Sequence, residues 1–234
     1  MLPMASKSHD HNILVRFLLV RHGESQVMVD GVVGGLETCS GLSEKGRLQA
    51  GLLRDRFATM TEPSIDVVYS SPLPRAKETT EIALSGLHSQ LAVEIHSELE
   101  EFRLGQADGL TWEKVQEQYP DINPTNSDPY ETLIPGGDSR AGFRHRVSAT
   151  LSEIAKKHSG KTVFIGCHGG VISAAMASAF GLANNQTTLE IAPTVTSITE
   201  LELIAGDGKP RRWVCHRYND SAHLRGSEVD PLKR

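Results

Sequence analysis

The sequence predicts an α/β fold: a three-layer sandwich with a mostly parallel central sheet and helices on both faces. Three short apolar runs carry that expectation, ILVRFLLV at 13–20, IDVVYSS at 65–71 and KTVFIGC at 161–167. They are nearly continuous in apolar residues rather than alternating, as strands covered on both faces are. A segment of helical pattern follows each, and strand–helix alternation builds parallel sheets whose ligands gather at the strands' C-terminal ends. With 234 residues, 38% of them hydrophobic, the chain can enclose one substantial core. The expected organisation is a flexible N-terminal tail over 1–12, one domain over 13–224 and a charged, loosely ordered tail over 225–234.

The elements follow in order. The first strand ends directly in Arg21-His22-Gly23. A loop holding Gly31, Gly34, Gly35 and Gly41 leads to a helix over LSEKGRLQAGLLRDRF, capped by Ser43, with Leu48, Leu52 and Leu53 on one face. The second strand turns through SSPLP into the helix PLPRAKETTEIAL, whose prolines suit a first turn. A weaker strand at 91–96 precedes SELEEFRLGQADGL. A short helix, TWEKVQEQY, is then capped by Thr111 and stopped by Pro120. Residues 120–138 read as a loop. From Ser139 to His158 the positions Phe143, Val147, Leu151 and Ile154 fall at helical spacing, and Gly160 ends the helix. The third strand ends in His168-Gly169-Gly170 and continues into the helix VISAAMASAFGL. Strands at 197–203 and 211–217 close the sheet.

Composition narrows the function. A formal net charge of −5 gives no general attraction to nucleic acid or an anionic membrane, so an anion must be caught by a local basic cluster. No apolar run approaches the roughly 20 residues of a membrane span, and MLPMASKSHDHN is not signal-like, so a cytoplasmic protein is expected. The three cysteines, Cys39, Cys167 and Cys215, lack disulfide or zinc spacing.

A buried strand that closes on two basic side chains costs desolvation free energy unless the charges meet an anion. Arg21, His22, Arg75 and His168 all follow strands, and the carboxylates Glu100 and Glu101 fall at the same sheet edge. Two guanidiniums and two imidazoles suit a tetrahedral phosphate, since arginine donates paired hydrogen bonds and stays charged.

LLVRHGES, GLSEKGRLQA, YSSPLPRAKETTE, LEEFRLGQADG, PGGDS and CHGGVI, in this order, resemble the histidine phosphatase superfamily, the phosphoglycerate mutase-like family, over roughly residues 13–224. The resemblance implies a phosphatase-type enzyme in which His22 is the nucleophile, Arg21, Arg75 and His168 hold the phosphoryl group, and Glu101 is the proton donor. The family's spacing matches Leu99, Glu101 and Gly105, which sets Glu101 ahead of Glu100. The expected activity is hydrolysis of small phosphomonoesters through a phosphohistidine, with no metal and no cofactor. An imidazole that attacks phosphorus must be neutral, and a backbone carbonyl holding one ring N–H would aim the other nitrogen at the substrate.

Two positions depart from the pattern: Met28 stands where many members have asparagine, and Ala107-Asp108 where a tryptophan and a glutamate are common. Ser25 reads either as a phosphate donor or as a turn or cap group, and Gly169 as a backbone contact to substrate. Arg103 and Arg140 face either the pocket or solvent, while Gly34 and Gly35 offer backbone N–H groups or simple loop flexibility. Cys167 reads as a small buried hydrophobe, and His9-Asp10-His11 as part of a polar tail rather than a chelate. The alternatives are a phosphoglycerate-type mutase, disfavoured by the short segment Gln106 to Ile134, and a non-catalytic phosphate-binding module. The expected partner is a small phosphorylated substrate, with no nucleic acid and no membrane. A free sheet edge is compatible with a homodimer.

Overall fold

The computed structural model describes residues 12–59, 62–87, 91–120, 128–184, 189–206, 209–231 and 233. His9, Asp10 and His11, with most of the expected N-terminal tail, lie outside the described residues. Six strands form one sheet: β1 (Asn12–Arg21), β2 (Val67–Ser70), β3 (Val93–Ile95), β4 (Lys161–Cys167), β5 (Ile198–Gly206) and β6 (Lys209–Asp220). Their order is β3-β2-β4-β1-β5-β6. The first four pair in parallel, and the hairpin β5–β6 adds antiparallel to β1.

The apolar runs are continuous because both faces are covered. On β1, Val15, Phe17 and Leu19 point to one side, where they meet Val147, Leu151 and Ile154 of α5 (Arg140–Lys157) and Val171 and Ile172 of α6 (Gly169–Ala179). Leu18 and Val20 point to the other, against Leu53 and Phe57 of α2 (Glu44–Ala58) and Ala83 of α3 (Pro74–Leu84). This two-sided burial is the sandwich expected from sequence. The two expected caps hold: Ser43 Oγ accepts from Gly46 N, and Thr111 Oγ1 from Lys114 N at the start of α4 (Trp112–Gln118); Ser139 Oγ caps α5 in the same way, accepting from Gly142 N.

Three local expectations are corrected. Leu48 is 61% exposed, and the buried face of α2 consists of Gly46, Gln49, Ala50, Leu53 and Phe57. The start of α2 lies against the loop after β1 so closely that a Cβ on Gly46 would sit 2.0 Å from Glu24 O, leaving no room there for leucine. The loop after β1 holds a short helix, α1 (Gln26–Val29). The tail from 225 is not wholly loose, since Val229 is buried with Val195 and Leu224, and its carbonyl accepts from Gln49 Nε2. No helix among the described residues is long and apolar enough to cross a membrane.

Candidate active site

The three central strands deliver the site. β1 ends at Arg21 and is followed by His22. Its neighbour β4 is followed by His168, and β2, on the other side of β4, by Ser71. Arg75 lies one residue inside α3. The sheet edge therefore gathers groups that lie far apart in sequence.

His22 is buried, and its ring has two partners of fixed character. Nδ1 lies 2.6 Å from Gly23 O, and Nε2 lies 3.2 Å from Arg75 Nε. A carbonyl only accepts and a guanidinium only donates, so Nδ1 carries the proton and Nε2 presents its lone pair. Burial above all, then the charges of Arg75 and Arg21, holds this imidazole well below its ordinary range and keeps it neutral. Gly23 is required here: a Cβ would lie 2.6 Å from Gly46 O, and its N–H donates to Thr79 Oγ1 at 3.0 Å.

The ring of His168 packs edge-on to that of His22 with centroids 5.1 Å apart, and its Nε2 lies 2.8 Å from Ser71 Oγ. Burial first, then Arg75, holds it well below the ordinary histidine range, which favours a neutral His168 over a third cation. Arg75 Nη1 donates to Gly34 O at 2.8 Å, and Arg21 Nη1 to Pro193 O at 2.5 Å. Arg21 also lies beside Gly169, where a Cβ would be 3.5 Å from its Nε. Of the candidate site residues, three carry a buried polar atom with no hydrogen-bond partner among the described residues: Arg21 Nε, His168 Nδ1 and Ser25 Oγ. Such atoms cost roughly 1–3 kcal/mol each unless a ligand satisfies them. Ser25 occupies the position before α1 yet makes no side-chain cap, so its capping alternative is not realised.

The two acidic candidates separate cleanly. Glu101 Oε2 accepts from Gly170 N at 3.0 Å and Oε1 from Phe102 N at 2.9 Å, at the mouth of α6. Glu100 turns away and pairs with Arg103 at 2.9 Å. Arg103 is thereby assigned to the Glu98–Glu100 surface.

Sequence reasoning missed Arg146. Its side chain is 7% exposed, pairs with Asp138 at 2.6 Å and donates to the carbonyls of Glu98, Glu100 and Glu101 at 2.9, 3.0 and 3.2 Å. One guanidinium thus fixes the backbone that carries the acid. Thr196 was also missed. It has φ 53°, and its N–H lies 2.9 Å from Arg21 O. Asp108, one of the departures from the family pattern, braces the loop before α2. Its Oδ1 accepts from Gly35 N at 2.8 Å, and Thr38 Oγ1 donates to the same oxygen. The Gly35 N–H is therefore spent within the protein. Met28 is 46% exposed on α1. Cys167 is fully buried and its thiol is pushed up, chiefly by burial, so it is no nucleophile.

A neutral imidazole whose lone pair faces a guanidinium, a second guanidinium and a carboxyl held by a helix N-terminus are the groups that phosphoryl transfer uses. The family model of the histidine phosphatase superfamily (branch 1) matches residues 17–220. A metal-independent phosphoserine phosphatase of Arabidopsis thaliana is 29% identical over 223 residues, covering 94% of this chain and 87% of that protein. Phosphoglycerate mutase-like protein 4 of the same plant is 29% identical over 209 residues, 88% of this chain and 86% of that one. Among solved structures, Bacillus stearothermophilus YhfR superposes with a TM-score of 0.76 at 25% identity, covering 89% of this chain and 98% of its own. The chain belongs to the histidine phosphatase superfamily. Its activity is that of a phosphoric monoester hydrolase.

Proposed function

We propose that the protein hydrolyses small phosphomonoesters in two steps through a phosphohistidine on His22, with no metal ion and no cofactor. In the first step Nε2 of His22 attacks phosphorus, the P–O bond to the alcohol breaks, and the leaving oxygen takes a proton from Glu101. In the second, water gives a proton to Glu101 as its oxygen attacks, the P–N bond breaks, and phosphate and neutral His22 are released. Arg21 and Arg75 offset the charge on the equatorial oxygens. A bound phosphoryl group also favours protonation of His168, which then adds a third donor through Nδ1, and Ser25 Oγ and the Gly169 backbone complete the substrate contacts.

One observation carries this reading: Gly23 O and Arg75 Nε together dictate a neutral His22 whose lone pair meets the arginine that binds the phosphoryl group. The metal-independent phosphatase among the relatives supports the same route. The short segment between Glu101 and Pro135 supports hydrolysis over mutase exchange. The three free cysteines fit a cytoplasmic setting, and the outer strand β6 leaves a sheet edge for a homodimer. The test is phosphate release from a panel of phosphomonoesters in excess chelator, wild type beside His22→Ala. Turnover by wild type alone is expected. Equal turnover by the variant, or loss of activity on chelation, would refute the route.

A further inference from the structure

We propose, building on the phosphatase reading above, that the groove between α5 and α6 receives the leaving alcohol, so that the preferred substrate is the phosphomonoester of an aromatic or branched aliphatic alcohol. The groove encloses about 290 Å³. A dry cavity of about 150 Å³ already accepts a benzene ring, so this space takes a ring with a short linker.

Its position fits a leaving group. Gly170 lines the groove while its N–H holds Glu101 Oε2, and Phe102, the residue after the acid, forms part of the wall. A Cβ on Gly170 would lie 2.2 Å from Glu101 Oε1 and 3.3 Å from the Phe143 ring, so carboxylate and ring meet at the same glycine. An oxygen that takes its proton from Glu101 therefore carries its carbon skeleton into the groove.

Its lining fits an apolar skeleton. Most of the polar side chains along it already hydrogen-bond within the protein. Arg144 donates to Ser178 Oγ at 3.3 Å and Ala177 O at 2.8 Å, Ser173 Oγ donates to Gly169 O at 2.8 Å, and Asn184 Nδ2 donates to Tyr130 Oη at 3.3 Å. Arg140, whose alternatives were pocket or solvent, lines the groove, and its buried Nε is the polar atom there without a hydrogen bond among the described residues. Most of what else remains for a ligand is carbon from Phe102, Phe143, Ala174, Leu182 and Ile191. A sugar or serine side chain placed there would lose more hydrogen bonds to water than it could regain.

The experiment compares 2-phenylethyl phosphate with glycerol 3-phosphate, esters of alcohols close in acidity, so that the ratio of their kcat/KM values reads the alcohol's binding rather than its chemistry. Burying a phenyl group predicts a ratio of about 30 in favour of the phenylethyl ester, expressed mainly in KM. Ala177→Trp, which fills the groove from α6, is expected to cut that ratio at least about tenfold. A wild-type ratio near one overturns the subsite and leaves the phosphatase reading standing, since both esters are then hydrolysed. An unchanged ratio in Ala177→Trp also overturns it. Hydrolysis of neither ester, with none across the wider panel, overturns the phosphatase reading and the subsite together.

Discussion

Replacing Arg146 by methionine tests how the acid is held. The guanidinium lies against Asp138 and three carbonyls of the segment 98–101, so its loss leaves a half-buried carboxylate with only the Arg103 N–H at 3.0 Å. Breaking such a pair costs about 3–5 kcal/mol, and because Asp138 keeps one donor and some solvent we expect about 3. For a chain of this length that corresponds to a fall of roughly 10 °C in Tm. Activity should split by substrate. An alkyl phosphate needs Glu101 to protonate its leaving oxygen, and misplacing a general acid by an ångström costs roughly 100-fold in kcat/KM. A nitrophenyl ester leaves without that proton and should lose no more than about threefold in kcat/KM, which reads the first step and not the shared hydrolysis of the phosphohistidine, where Glu101 takes a proton from water. Steady-state kinetics with both esters, below the variant's unfolding range, make the comparison. Equal losses on the two esters, or none on either, would refute the assignment of Arg146 as the residue that positions Glu101.

Gly170→Ala should keep the fold, since alanine favours helix, yet its Cβ would displace the Glu101 carboxylate; alkyl phosphate turnover should drop by about 10- to 100-fold, and near-normal kcat would contradict the contact. Asp108→Ala frees the 35–38 loop and with it the carbonyl of Gly34 that holds Arg75, so KM should rise by about fivefold in initial-rate measurements, and an unchanged KM would count against that link. Four imidazoles are held below their unfolded range, chiefly by burial: His22 and His168 strongly, His223 down to about 4, and His158 as well. Below about pH 6.5 the unfolded chain binds more protons than the folded one, so their contribution is complete above that pH and is lost as pH falls toward 4. Each contributes a slope of up to about 1.4 kcal/mol per pH unit there. Urea midpoints should fall steeply between pH 7 and 5, and a flat profile would show that these rings are protonated in the folded state.

Much of this architecture is legible in the sequence because it rests on local contrast. An apolar run that meets Arg21-His22-Gly23, and another that meets His168-Gly169-Gly170, announce strands whose ends hold chemistry. The Glu101 assignment needed the family's spacing, since adjacent glutamates carry no other distinction. The face of α2 was misjudged for a physical reason: where backbones touch, small residues such as Gly46 and Ala50 are buried and a leucine is turned outward, the reverse of a hydrophobic stripe. Arg146 sits three residues after Phe143 on the buried stripe of α5, and a cation there was the one hint. Its bonds to carbonyls 45–48 residues away are set by tertiary packing alone. Val229 was hidden in the same way, a lone apolar residue in a charged stretch whose partner surface only the fold creates.

The most direct test of the central claim is chemical trapping of the intermediate. Wild-type protein mixed with a ³²P-labelled phosphomonoester and quenched in alkali within milliseconds should carry label that survives base, is released by acid, and maps to the peptide containing His22. His22→Ala should carry none. Label on another residue, or turnover with no trapped phosphoenzyme in a full time course, would contradict the phosphohistidine route.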